Sequence, residues 1–376
     1  MTAEMQYMNG GNKVNLYFAG SSHNLASKWI NELQLPRLFS QELNRPEIAK
    51  MIERKKSGEY HADILIDSGA FTAHTKGISV DVDEYIEYLN SITEYVTCYA
   101  QVDCIPGTLG KPKTTQELAE APGKSWENYL YMRPKLKQPE KLLPVYHQGE
   151  HIKWLRNMLE WTDDNGNHIP YIGISPANDK SQKEKDAFIH MCFDEIKKSS
   201  NPNVKTHAFG MTNLSTLSQY PFTSADSTSW ALTAVNGGIM SKFGVIGMSA
   251  QSKNSNSYKG KSAHDRRVID EYISANGFDV NNLIEAPLET VISRIQAKLE
   301  PGTVTDDKLE YYLTKNVKPE NKKVAEILKF EKGRSIKGEH DYKAYLERIR
   351  WNIHYLNRWF RSYEYKPKTG GRKKLF

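Results

Sequence analysis

Three aspartates follow short apolar segments of the sequence, where an α/β enzyme commonly places reactive side chains. Asp67 ends the run Ile64-Leu65-Ile66, Asp103 follows Cys98 to Val102, and Asp226 follows Phe222 to Ala225. A fourth polar residue, Gln148, comes after Leu142 to His147. In such enzymes a buried strand fixes the backbone, and the loop after it presents the side chain at the open end of the sheet. These side chains are therefore predicted to converge on one site.

Paired carboxylates of this kind suit chemistry at a glycosidic carbon. One carboxylate attacks or stabilises an oxocarbenium-like centre while another relays protons, which makes Asp67, Asp103 and Asp226 candidate catalytic groups. The alternative for each residue taken singly is structural, because Asp is a common cap and turn former at the end of a strand.

The elements that would position these groups alternate between strand and helix. Eight strands are predicted at Asn15–Ala19, Ala62–Asp67, Cys98–Asp103, Leu142–His147, Tyr171–Ser175, Thr206–Gly210, Phe222–Asp226 and between Gly238 and Gly247. Segments with helical periodicity lie between most of them. This order predicts a (β/α)₈ barrel over residues 1–250. An open doubly wound sheet is the alternative, but neither GxGxxG nor GxxxxGK[ST] occurs in the chain.

Residues 251–376 are predicted to form a helical, basic region that packs on the barrel, with a flexible end from about residue 366. From Lys318 onward there are 17 Lys plus Arg against 7 Asp plus Glu, whereas the preceding residues hold 34 against 38. Clustered cations of this kind favour a polyanionic partner, with a solvated basic end as the alternative. The last predicted helix, Asp341–Tyr365, interleaves aromatic and guanidinium groups that suit nucleic-acid contact, namely Arg348, Trp351, Tyr355, Arg358 and Arg361.

Composition narrows the class of protein. No apolar run approaches the roughly 20 residues that span a bilayer, and the first residues lack a secretory pattern. We therefore expect no membrane partner and a cytoplasmic location. The three cysteines, Cys98, Cys104 and Cys192, form no CxxC pair, so neither a disulfide framework nor a structural zinc site is expected.

Several segments resemble motifs of the tRNA-guanine transglycosylases, and they occur in that family's order. Asp67-Ser68-Gly69-Ala70-Phe71-Thr72 resembles DSGGFQ, Val102–Pro106 resembles the Asp-containing strand end that recognises the base, and Tyr146–Gly149 resembles VQGG. His207–Thr212 and Phe222–Trp230 are similar to the stretch that ends in the nucleophilic aspartate. The forms AGSSH, DSGAF and DSTSW are most similar to the DpdA branch, which places 7-deazaguanines in phage and bacterial DNA. The resemblance spans residues 62–230.

The resemblance implies a barrel enzyme without a cofactor that exchanges guanine for a free 7-deazaguanine base such as preQ0. It implies Asp226 as the nucleophile and Asp67 as the general acid/base. Its implied base-binding residues are Ser68, Phe71, Asp103, Gln148, Gly173 and Phe209, with Phe71 and Phe209 stacking on the ring. In the host cytoplasm, such modification would protect phage DNA from nucleases.

Departures from the family motifs bear on the nucleic acid that is used. The CxCxxC zinc site of the tRNA enzymes is missing, since no cysteine follows Cys192. We therefore expect DNA as the partner, through a DNA-guanine transglycosylase. The alternatives are the same reaction on tRNA, a nucleic-acid-binding barrel without turnover, and a glycosidase acting on sugars.

Overall fold

The computed structural model describes residues 14–20, 24–107, 111–211, 213–315, 317–332 and 341–362. Part of the AGSSH segment and the end predicted to be flexible lie outside the described residues. The described parts of 1–20, 30–227 and 360–376 belong to one compact unit, and those of 21–29 and 228–359 belong to a second.

Nine parallel strands form the sheet of the first unit. They are β1 Asn15–Ala19, β2 Arg37–Ser40, β3 Ile64–Asp67, β4 Cys98–Ala100, β5 Leu142–Leu143, β6 Val145–His147, β7 Tyr171–Ser175, β8 Lys205–Ala208 and β9 Ser224–Ser227. The hydrogen-bonded order is β5-β4-β3-β2-β1-β9-β8-β7-β6. This is the α/β barrel architecture expected from the sequence.

Strands β5 and β6 are two parts of one barrel position, interrupted at Pro144. Proline has no N–H for the ladder, so regular pairing stops there. The flanking groups still bond to both sides: Gln101 N–H donates to Leu143 O at 3.1 Å, and Gly173 N–H donates to Pro144 O at 2.7 Å. β5 pairs with β4 while β6 pairs with β7, so eight strand positions surround the barrel.

Apolar residues fill the barrel and explain the strands. Ile64, Leu65 and Ile66 of β3 are fully buried, as expected for a parallel strand covered on both faces. Inside the barrel, one apolar cluster is formed by Tyr17, Leu65, Cys98, Ala100, Leu143 and Val145. This core supports the strand ends from which the candidate site projects.

Fifteen helices are assigned over the described residues, and those of the barrel alternate with its strands. They are α1 Asn24–Glu32, α2 Gln41–Lys56, α3 Ala70–Thr75, α4 Val82–Ile92, α5 Thr115–Met132, α6 Lys153–Glu160, α7 Gln182–Lys198, α8 Leu214–Leu217, α9 Ser229–Val235, α10 Ala263–Ser274, α11 Val280–Leu283, α12 Leu288–Gln296, α13 Asp306–Lys315, α14 Lys322–Lys332 and α15 Tyr342–Ser362. Capping boxes begin two of the long barrel helices: Thr114 with Glu117 at α5, and Ser181 with Glu184 at α7. Each box satisfies backbone N–H groups at the start of its helix.

One barrel strand differs from the prediction. The eighth strand predicted between Gly238 and Gly247 is instead an antiparallel hairpin of β10 Gly238–Ser241 and β11 Gly244–Gly247. The barrel strand that was not predicted is β2. Its sequence does not resemble a buried strand because it begins with a charged residue, Arg37, which is nevertheless buried. The Arg37 guanidinium lies 4.5 Å from the centre of the Phe39 ring and donates to Asn31 Oδ1 at 3.1 Å.

Apart from residues 21–29, the second unit spans Thr228–Trp359, whereas the boundary was predicted at residue 250. Its hairpin supplies Ile239 and Ile246 to an apolar cluster with helical residues including Ile269, Leu283 and Trp351. A separate cluster joins α12, α13 and α14 through residues such as Val291, Leu309 and Val324. The hairpin therefore belongs with the helical region.

Candidate active site

Titratable side chains gather where the parallel strands of the barrel end. Asp67 is the last residue of β3, His147 is the last of β6, and Asp103 follows β4 by three residues. His207 and Asp226 lie on the neighbouring strands β8 and β9. Since the carboxyl ends of the strands meet at one mouth, residues distant in sequence share one site.

Asp67 has an environment that favours its protonated form. Loss of solvation, followed by the nearby charges of Asp103 and Asp226, raises the pKa of Asp67 to about 7, although the N–H groups of Gly69 and Ser68 oppose the shift. The Gly69 N–H donates to Asp67 Oδ2 at 3.1 Å. A carboxyl with this pKa can donate a proton near neutral pH and take it back, as a general acid/base must.

The turn after Asp67 requires glycine. Gly69 has φ of +76°, in the left-handed region, and a Cβ there would lie 2.5 Å from Glu42 Cβ and 2.7 Å from Ser40 Oγ. Ser68 beside it is buried, and its Oγ accepts the Ala70 N–H at 3.4 Å. Ser68 thus stabilises the turn into α3, and its contact with a base stays a prediction.

Asp226 is held through one of its two carboxylate oxygens. Gly210 N–H donates to Oδ1 at 2.7 Å, and His207 Nε2 lies 3.3 Å from the same oxygen. The side chain of Asp226 is 10% exposed and that of His207 is fully buried. Both hydrogen bonds that the described residues make to this carboxylate go to Oδ1, so Oδ2 is left without a hydrogen bond from that part of the chain.

A polar chain behind Asp226 fixes the orientation of His207. His207 Nδ1 is hydrogen-bonded to Ser224 Oγ, which is also hydrogen-bonded to the Tyr171 hydroxyl. With Nε2–H donating to Asp226, Nδ1 accepts from Ser224, and Ser224 accepts from Tyr171. The sequence motif contained His207, but its strand position gave no signal for this supporting role.

A second histidine, His147, lies between two carboxylates near the ends of β4 and β6. His147 Nε2 lies 3.4 Å from Asp103 Oδ2, and His147 Nδ1 lies 3.0 Å from Glu150 Oε1. Burial alone would lower the pKa of His147, but its interactions with Asp103 and then Glu150 raise that pKa to about 10. Neither His147 nor Glu150 was predicted as a site residue; the only signal was the spacing of His and Glu within one turn.

Gln148, expected to bind a base, is engaged elsewhere. Its Nε2 donates to Glu184 O at 3.1 Å, and its Oε1 accepts Ala177 N–H at 3.1 Å. The amide therefore links the loop after β6 to the segments around α7. At this strand end, His147 is the residue that contacts Asp103.

Gly173 and Phe209 form one packing unit inside the barrel. A Cβ on Gly173 would lie 2.5 Å from Cε2 of Phe209, so only glycine leaves room for the ring. The Gly173 N–H is used by Pro144 O, which leaves that donor unavailable to a base. The Phe209 ring also contacts His207 edge-on, with centroids 4.4 Å apart. Phe71, the other predicted stacking residue, is 68% exposed on α3 and is accessible to a ligand.

The predicted nucleic-acid residues of α15 divide by burial. Arg348 is fully buried and donates to the Ala234 and Leu283 carbonyl oxygens, and Trp351 is fully buried with Nε1 donating to Met240 O at 2.7 Å. The prediction that these two contact nucleic acid is wrong, because their polar groups are consumed inside the second unit. Tyr355 is half-buried against the same apolar cluster. Arg358 and Arg361 are exposed and remain candidates, although Arg358 also bonds to Asn276.

Within the ranges described, no group of three or more His, Cys, Asp or Glu side chains is arranged to hold a metal ion. Across the same part of the chain, no helix combines the length and apolar character needed to cross a bilayer.

The mouth therefore contains two carboxyls with contrasting environments: Asp67 favours its proton, and Asp226 has one oxygen fixed by two donors. Such a pair can act as acid and nucleophile at one carbon. No protein-family model matches the sequence, and no curated protein shows significant similarity to it.

Proposed function

We propose that the protein is a DNA-guanine transglycosylase, which replaces a guanine base in DNA with a 7-deazaguanine. The observation that carries the proposal is that Asp67, at the end of β3, and Asp226, on β9, come from separate strands yet lie near enough for the charge of Asp226 to contribute to the raised pKa of Asp67. The motif order along the chain supports the same reaction. A protein that only bound nucleic acid would have no use for this pair of carboxyls.

The geometry suggests how the reaction would proceed. Asp226 Oδ2 attacks C1′ of the target nucleotide, the bond from C1′ to the base nitrogen breaks, and Asp67 protonates the departing guanine. The incoming 7-deazaguanine then gives its ring N–H proton to the Asp67 carboxylate and displaces Asp226 from C1′. Two displacements retain the configuration of the sugar, and no ATP is consumed because one glycosidic bond replaces another.

Base recognition would involve Asp103 and the two aromatic rings. Asp103 can accept N–H groups of a purine edge, and Phe71 offers an exposed face for stacking. A base within a polymer must leave its stack to reach a barrel mouth, which requires a flipped or single-stranded nucleotide. The exposed Arg358 and Arg361 would contribute to binding of the phosphate backbone.

DNA is preferred over tRNA for two reasons. The zinc module of the tRNA enzymes is missing from the sequence, and the basic excess lies after Lys318. The burial of Arg348 and Trp351 removes two of the five residues first assigned to that interface. The charge argument therefore depends on the exposed arginines and on the overall excess of cations.

Incubation with radiolabelled preQ0 and duplex DNA, single-stranded DNA or tRNA tests the proposal. Label incorporated into DNA supports the proposal. Label found only in tRNA would show that the same reaction uses tRNA as its substrate. Binding of nucleic acid without incorporation into any of the three would indicate a non-catalytic barrel. Asp226→Asn is the matched control, because it keeps the size of the side chain and removes the nucleophile.

A further inference from the structure

His147 lies between two carboxylates that come from different segments of the barrel. Asp103 follows β4, and Glu150 lies in the turn after β6. The side chains of Asp103 and Glu150 are 16% and 14% exposed, and that of His147 is 33% exposed. Water therefore screens these charges only in part, so their interactions are stronger than those of a surface pair.

Both ring nitrogens of His147 are engaged. Nδ1 lies 3.0 Å from Glu150 Oε1 and Nε2 lies 3.4 Å from Asp103 Oδ2, so each ring nitrogen faces a carboxylate oxygen, an arrangement that suits two N–H groups. An imidazole with both nitrogens protonated carries a positive charge. Glu150 also accepts the main-chain N–H of His147 at 3.3 Å, which holds the pair in register.

Gln101 gives an independent indication of the charge on Asp103. Its Nε2 donates to Asp103 Oδ1 at 2.8 Å, while its buried Oε1 has no hydrogen-bond partner. An unpaired buried acceptor is unfavourable, so this orientation of the amide needs a strong acceptor opposite the nitrogen. An ionised Asp103 meets that need, with Gln101 on one oxygen and His147 on the other.

We propose that His147 is a permanently charged positioning residue, clamped between Asp103 and Glu150, that keeps Asp103 ionised and makes the site selective for bases with adjacent N–H donors. The inference builds on the proposed function. The pKa of His147, which Asp103 and Glu150 raise to about 10 against the effect of burial, agrees with this charge state. An ionised carboxylate only accepts hydrogen bonds, so it fits the N1–H and amino group of a guanine-type edge and disfavours a ring nitrogen that is itself an acceptor.

The clamp also explains how neighbouring carboxyls keep different protonation states. The charge of Asp103 contributes, after loss of solvation, to the raised pKa of Asp67. Asp103 in contrast has the imidazolium beside it. The charged groups that act on His147 are Asp103 and Glu150, from β4 and the turn after β6. The position of His147, beside Asp103, therefore accounts for a protonated Asp67 next to an ionised Asp103.

Nitrogen NMR of the whole protein with ¹⁵N-labelled histidine tests the charge without relying on turnover. The His147 signals are assigned with His147→Gln, and His190, which is 67% exposed and pairs with the solvent-exposed carboxylate of Asp194, serves as reference through His190→Gln. We expect both ring nitrogens of His147 to remain protonated up to about pH 8, well above the ordinary histidine pKa of about 6.5. Titration of His147 near that ordinary value would refute the proposal that His147 stays charged between Asp103 and Glu150. Glu150→Gln, which leaves His147 in place, should move its titration to lower pH.

Binding of free guanine at two pH values tests the effect on recognition. The wild-type affinity should be nearly constant between about pH 6 and about pH 8, whereas His147→Gln, which removes the cation beside Asp103, should bind on the order of tenfold more weakly at the lower pH and recover at the higher, because a carboxylate without that cation takes up a proton more readily. An equal loss at both pH values would show that His147 supports only packing and would refute the proposal. If the wild-type protein does not bind guanine, the proposed base recognition and the proposed function are both wrong. The nitrogen NMR titration still tests whether His147 stays charged.

Discussion

Replacing Asp67 by Asn should stabilise the protein most at alkaline pH. Asp67 has a folded-state pKa of about 7, raised by loss of solvation and by the charges of Asp103 and Asp226. A carboxyl with a raised pKa binds its proton more tightly in the folded state than in the unfolded state. The unfavourable contribution to stability is thus absent below the unfolded pKa of about 3.9, grows as the pH rises, and is complete above about pH 7.

The magnitude follows from the size of the shift. A difference of about three pKa units at about 1.4 kcal/mol each gives an unfavourable term of roughly 4 kcal/mol at about pH 8 and roughly 1.7 kcal/mol at about pH 5. Asparagine has no charge to desolvate and keeps an oxygen that can accept the Gly69 N–H. We therefore expect the free energy of unfolding of Asp67→Asn, relative to wild type, to rise by about 2–3 kcal/mol between these two pH values.

Urea denaturation followed by circular dichroism at both pH values measures this difference. Asp164→Asn, an exposed carboxyl-to-amide change within the first unit, is the matched control and should show the same small effect at both. A relative stability of Asp67→Asn that does not change with pH would refute the assigned charge state of Asp67. The same variant should lose most base exchange, by on the order of 10²–10⁴ in rate, so that stability and activity change in opposite directions.

Three further changes test the site and the interface. Asp226→Asn should abolish exchange and any denaturant-resistant protein–DNA adduct but retain DNA binding in a gel-shift assay; exchange at the normal rate would exclude Asp226 as nucleophile. Gly173→Ala should displace Phe209 and lower the free energy of unfolding by about 1–3 kcal/mol. The control Gly260→Ala, at an exposed glycine, should change the free energy of unfolding by under about 0.5 kcal/mol. Equal effects of the two variants would contradict the close contact between Gly173 and Phe209. Arg358→Gln with Arg361→Gln should reduce the slope of log affinity against log salt by about 2; an unchanged slope would remove these arginines from the DNA interface.

Much of the barrel was accessible from the sequence because its strands are short apolar runs. β1 and β7 have the predicted bounds, and β3, β4 and β9 were located to within three residues at each end. β2 was missed because Arg37 and Ser40 flank only two apolar residues, so the segment lacks the apolar run typical of a buried parallel strand. The hairpin was mistaken for a barrel strand because periodicity does not distinguish parallel from antiparallel pairing.

The sequence predicted those site residues whose position at the end of a strand is enough to place them in the site. Asp67, Asp103 and Asp226 follow apolar runs, and the barrel brings them to one mouth. The roles of His147 and His207 depend on partners from other strands, which no local pattern shows. Arg348 and Trp351 were assigned to the surface because an amphipathic helix pattern does not reveal that main-chain carbonyls inside the protein satisfy their donors.

The coupling between Asp67 and Asp226 has a consequence for the order of proton transfer. The charge of Asp226 is one cause of the raised pKa of Asp67. Under the proposed reaction, that charge disappears when Asp226 forms its bond to C1′, so the pKa of Asp67 falls while the leaving base needs the proton. When the incoming base displaces Asp226, the charge returns and Asp67 again holds a proton firmly. Each half of the exchange therefore prepares Asp67 for its next step, while Asp103, paired with His147, holds the base throughout.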